Sequence, residues 1–148
     1  MAAFVKFNKF LLQLGKKNFD FTSDVLKFAL TNTAPTAATD TSFTPGGAHP
    51  PPAAANGYTS GGHQATGLGW TEAGGISSLT DSTDIVITAT AGGIGPFRYV
   101  LLYDDTATTT GNALADMLIG YWDYGSSISL AVNETFTIDV TTSLLTLQ

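Results

Sequence analysis

Thr135-Phe136-Thr137-Ile138-Asp139-Val140 alternates polar and apolar residues without a break. Side chains of an extended strand point to opposite faces in turn, so Phe136, Ile138 and Val140 share one face. A helix would scatter them around its circumference. The stretch predicts a half-buried strand and sets the period for reading its neighbours.

Moving outward, residues 144–147 downstream and 127–130, 117–124, 97–103, 84–90, 64–71 and 25–30 upstream read as further strands. They are short, rich in Thr, Ile, Val and aromatic residues, and separated by Gly, Asn or Asp turns. Eight strands with no helix between them predict an all-β fold, an antiparallel β-sandwich. The 23 threonines fit this expectation, because β-branched uncharged residues suit the outer faces of strands. The chain has 148 residues, which favours one domain.

The N-terminus reads differently. Phe4, Phe7, Leu11 and Leu14 fall at helical spacing, with Lys6, Lys9, Gln13 and Lys16 elsewhere around the wheel and Gly15 as a stop. A short amphipathic helix is predicted, within an arm of residues 1–22 ahead of a β body over 23–148. At about three turns it is marginal alone and must pack on something. Between about 35 and 56 lies a long loop of Ala, Thr, Gly and Pro, including Pro50-Pro51-Pro52. With so few apolar anchors it is expected to lie against a partner or its own body.

Charge is unevenly placed. The total is −6, yet residues 1–27 carry +3 and residues 28–148 carry −9, with Arg98 the sole cation of the latter. Either the basic arm docks on its own body, or it docks on an acidic neighbour in an assembly. A pI near 4.4 argues against a broad nucleic-acid surface. There is no cysteine, hence no disulfide framework or thiolate site. The apolar run at residues 10–14 is too short to span a bilayer and lacks a signal-peptide cleavage pattern. A soluble chain made in the cytoplasm is expected.

No catalytic constellation stands out. His49 and His63 sit in Gly/Pro-rich sequence and read as solvated loop histidines. Ser77-Ser78 and Ser126-Ser127 lack a nucleophile elbow and read as turn or strand-end residues. Gly67-Leu68-Gly69 and Gly92-Gly93-Ile94-Gly95 read as bends, since neither opens a predicted helix. Asp104-Asp105 with Asn112 and Asp116 is the best oxygen-ligand cluster, but the spacing does not match an EF-hand, and a solvated hairpin loop is the plainer reading. Trp70, Trp122, Tyr58, Tyr99, Tyr103, Tyr121 and Tyr124 could form a sugar-stacking platform or fill a core and cement an interface. Alternation puts Trp122 and Tyr124 on one face and Tyr121 on the other. Arg98 is expected to pair with a carboxylate or lie over an aromatic ring.

Several blocks carry a resemblance. Phe4-Val5-Lys6-Phe7-Asn8-Lys9-Phe10 is followed by Ser23-Asp24-Val25-Leu26-Lys27-Phe28-Ala29-Leu30-Thr31-Asn32-Thr33-Ala34-Pro35, then Asn56-Gly57-Tyr58-Thr59-Ser60-Gly61-Gly62. Gly95-Pro96-Phe97-Arg98-Tyr99-Val100-Leu101-Leu102-Tyr103, Ile119-Gly120-Tyr121-Trp122-Asp123-Tyr124-Gly125-Ser126-Ser127-Ile128 and Asn133-Glu134-Thr135-Phe136-Thr137-Ile138-Asp139 complete the set. The chain resembles a family of small virion structural proteins of tailed bacteriophages. The resemblance implies a non-enzymatic particle component, made in the host cytoplasm and residing in the virion. A head decoration (cement) protein is the first expectation. Its partners would be the major capsid protein, copies of itself, or both, with no nucleic acid, membrane, metal or cofactor. The expected contact residues are Phe4, Phe7, Lys9, Phe10, Leu11, Leu14, Pro50, Pro51 and Pro52. The alternative is a tail, neck or fibre component that could bind a receptor glycan. A cell-wall hydrolase would need a carboxylate pair in a cleft, and none is identifiable.

Overall fold

The computed structural model describes residues 3–106, 115–140 and 143–148. Ten strands and one helix follow in the order β1 (Phe4–Lys6), α1 (Asn8–Gly15), β2 (Leu26–Thr31), β3 (His63–Gln64), β4 (Leu68–Ala73), β5 (Ile76–Asp81), β6 (Ile85–Thr88), β7 (Ile94–Asp104), β8 (Met117–Leu130), β9 (Thr135–Ile138) and β10 (Leu145–Leu147). Every pairing is antiparallel. The sheets run β1-β8-β7-β2-β3, β10-β5-β4 and β6-β9, and they pack as an all-β, sandwich-like fold with a short N-terminal helix.

Register explains the layering. Phe4, Trp122, Val100 and Leu30 are successive cross-strand partners, so they share one face of the five-stranded sheet. Val5, Tyr121, Leu101 and Ala29 form the adjacent row and point the other way. Tyr121 meets Phe7 at 5.5 Å between ring centroids. On the first face, Trp122 meets Phe4 at 4.6 Å and Phe28 at 6.1 Å. Gly120 is required beneath Phe4, because a Cβ there would collide with that ring.

The alternation in residues 135–140 holds: Phe136 and Ile138 are half-buried, Val140 is buried, and the residues between them are exposed. Phe136 sits 5.0 Å from the fully buried Phe97.

Four strand expectations need correction. The 64–71 segment is two strands, β3 and β4. Conversely, 117–124 and 127–130 are one strand, β8, carried through Gly125 at φ +96°. Between the pairs Phe97/Ile128 and Tyr99/Asp123, β7 advances two residues and β8 five, so β8 bulges outward there. The strand β5 is unexpected, since Ser77-Ser78 read as turn or strand-end residues. It pairs with β4 across the two-residue turn Gly74-Gly75, both at positive φ as a tight hairpin demands. Phe4 lies on a strand, and Phe7 precedes the helix as its N-cap, so the predicted helical stripe is out of phase.

The arm is not an appendage. Phe7 and Phe10 are fully buried and share one hydrophobic core with Phe19, Phe21 and the strands of the body. Phe10 packs on Phe19 and Phe21, and Phe21 packs on Trp70 of β4 at 5.0 Å. The 35–56 loop also lies on its own chain. Phe43 is fully buried against Tyr103 at 4.7 Å, and Ser42 bridges to Met117.

Candidate functional site

The expected contact residues are dispersed by the fold. Phe7 and Phe10 are spent in the core and offer no surface to a partner, which corrects that expectation. Phe4 is half-buried against Trp122, and Leu14 is half-buried as well. Lys9 is exposed and Leu11 is 48% exposed. Of the proline run, Pro50 is exposed, Pro51 half-buried and Pro52 buried. The Pro50 carbonyl accepts a hydrogen bond from the Thr31 hydroxyl at 3.0 Å.

Neither histidine is a solvated loop residue. His49 is 3% exposed, and its Nε2 lies 2.9 Å from Asp40 Oδ2, which also accepts the Thr36 N–H. The pair draws the Thr36–His49 segment together, which the run of small residues alone did not suggest. His63 lies on β3 with its ring 5.7 Å from Tyr58, and burial pulls its pKa down.

The acidic cluster divides. Asn112 lies outside the described residues. Asp105 pairs with Lys27 at 2.5 Å. Asp104 is 3% exposed, accepts the Thr106 N–H at 2.8 Å, and faces Asp24. Among the described residues, no group of three or more His, Cys, Asp or Glu side chains is placed to hold a metal ion.

Burial, joined by Asp24 nearby, pushes Asp104 up to about 6 from 3.8. A raised folded-state value means that its stabilising share is complete below about pH 4 and lost as pH climbs through about 6. Asp104→Asn is therefore expected to raise the urea midpoint at pH 7 and leave it little changed at pH 4. Equal midpoints at pH 7 would mean that the carboxyl ionises there without penalty.

The aromatic set also divides. Tyr58, Tyr99 and Tyr103 are buried, and Trp70 packs on Phe21. The Tyr58 hydroxyl accepts the Leu30 N–H at 2.8 Å, and burial pushes its pKa up to about 12. Arg98 forms two hydrogen bonds to Asp123, at 2.7 and 2.8 Å, and lies 5.2 Å from the Tyr99 ring centre. It therefore does both things expected of it, and it pins the β8 bulge, where Asp123 also accepts the Gly125 N–H.

Trp122 and Tyr124 do share a face, and there they line an open cleft of about 240 Å³. The opposing wall comes from Phe136, Ile138 and Val140, with Val100 and Leu144 also lining it and Thr137, Asp139 and Ser143 as its polar members. The Val140 N–H donates to Asp84 at 2.9 Å, which sets a second carboxylate beside Asp139. Tyr124, 56% exposed, stands on the bulge and meets Phe136 edge-on at 5.9 Å. An apolar concavity of this size suits one apolar anchor group rather than a large cofactor. The shared face of Trp122 and Tyr124 was legible from alternation; the opposing wall was not.

No family model, no curated protein and no solved structure matches this chain.

Proposed function

We propose that this chain is a non-catalytic structural subunit of a tailed-phage virion, and that it decorates the head by binding the capsid lattice. The observation that carries the reading is the series of sequence blocks resembling that family, running nearly end to end from Phe4 to Asp139. The sandwich-like fold and the weakly charged, Thr-rich strands support it. Such a body can add buried area between neighbouring subunits without chemistry. Many copies, each contributing a modest contact, stabilise a shell cumulatively.

The test is the number of copies per purified particle, measured by quantitative mass spectrometry against the major capsid protein. A near one-to-one ratio, or another large lattice fraction, is expected. A few to a few dozen copies would overturn head decoration and place the chain at the tail, neck or fibres.

A further inference from the structure

Large apolar side chains with at least two-fifths of their surface exposed are few among the described residues: Leu11, Leu12, Ile76, Val86, Tyr124 and Val132. Two of them, Leu11 and Leu12, are adjacent on α1. Leu12, 49% exposed, has Lys9 three residues before it and Lys16 four after, the spacings that place side chains side by side on a helix. The helix thus presents an apolar knob with a basic rim. The cleft is its complement, an apolar hollow with Asp139 as the one acidic residue of its lining. Lys6 lies beyond Ser143 and Leu144, bordering a separate depression.

A single copy cannot satisfy itself. The chain leaves β1 toward the start of β8, with the Phe7 N–H donating to the Ile119 carbonyl at 3.1 Å. The cleft is built on Trp122 and Tyr124, up to five residues further along the same strand, or about 16 Å. No residue of α1 lines it.

We infer that the Leu12 knob of one copy seats in the Trp122–Tyr124–Phe136 cleft of the next. This deepens the reading above by naming a second copy as the cleft's occupant. Charge complementarity selects that occupant: the +3 segment carries the knob and the −9 segment carries the hollow. The two patches differ, so the contact is head-to-tail and leaves a free knob and a free hollow on every dimer. It propagates into rings or rows rather than stopping at two.

Sedimentation velocity on the purified full chain tests this without any virion, so its failure is separable from failure of the copy-number measurement. The wild type is expected to form species larger than a dimer as concentration rises. Raising salt from about 0.05 M to about 0.5 M should shift that growth to higher concentration. Leu11→Asp/Leu12→Asp removes the knob, and Tyr124→Arg sets a like charge at the hollow; both change exposed side chains. Each variant alone is expected to stay monomeric with an unchanged thermal melt. An equimolar mixture retains one intact knob and one intact hollow per pair, and is expected to give one-to-one dimers and nothing larger. A wild type monomeric at every concentration would overturn the inference, as would a mixture that stays monomeric. Trp fluorescence that responds to a hexose panel and loses the response in Trp122→Phe would overturn it too, by giving the cleft to a glycan.

Discussion

A chain lacking residues 1–14 is expected not to fold. Its loss reaches the core directly, because Phe7 and Phe10 are fully buried and β1 pairs with β8 through Phe4, Val5 and Lys6. Removing one buried Phe side chain costs about 3–5 kcal/mol. Two approach or exceed the whole stability of a typical domain, about 5–15 kcal/mol. The unpaired β8 edge and the bared Tyr121 and Trp122 add to the loss. Circular dichroism and a thermal melt check it: the truncated chain should show no cooperative transition, or should aggregate. A soluble fragment that melts cooperatively would restore the arm to an accessory role. The point variant Phe10→Ala grades the effect, with an expected fall in Tm of about 10–20 °C.

Gly62→Ala is the second large effect. Gly62 has φ +82°, and an added Cβ would collide with the Phe28 carbonyl oxygen and come within 2.9 Å of Ala29 Cα. Both obstacles are backbone of β2, the strand next to β7, so neither can swing aside. The left-handed conformation costs about 1–3 kcal/mol for a residue with a side chain, and overpacking costs about 1–3 kcal/mol more. A total loss of about 3–5 kcal/mol is expected in urea unfolding. Gly74→Ala separates the two causes, since Gly74 has φ +63° with open space around its missing Cβ. It should cost about 1 kcal/mol. Equal losses at both positions would mean that β2 yields to the intruding methyl.

These two sites show what a linear reading can and cannot reach. Alternation in residues 135–140 fixed which side chains turn inward, because period-two patterning is local. The same logic separated Trp122 from Tyr121. It failed where a side chain's partner is remote. Phe4 and Phe7 sit three apart, which fits a helix, but the β8 edge at residues 120–122 recruits the first of them into a strand. Ser77 and Ser78 carry no apolar signal, and β5 is held by ladders to β4 and β10. The Gly74-Gly75 pair was the local clue to that hairpin. Gly125 looked like a terminator, yet the β7 ladder resumes at Ile128 and carries β8 through it. The cleft joins residues on β7, β8 and β9 with Leu144, a juxtaposition set by sheet packing rather than by spacing.

The lodging of the arm has a consequence for proteolysis. Every lysine lies within residues 6–27, and Arg98 is the sole further tryptic site. Arg98, within β7, is held by two hydrogen bonds to Asp123, whereas Lys16 and Lys17 stand exposed just after α1. A brief tryptic digest should therefore nick the native chain there first. The severed N-terminal peptide would keep its strand pairing and its two buried phenylalanines. It should co-elute with the remainder on a sizing column and separate only in denaturant, making this protein a two-piece complementation pair joined by a dispensable peptide bond.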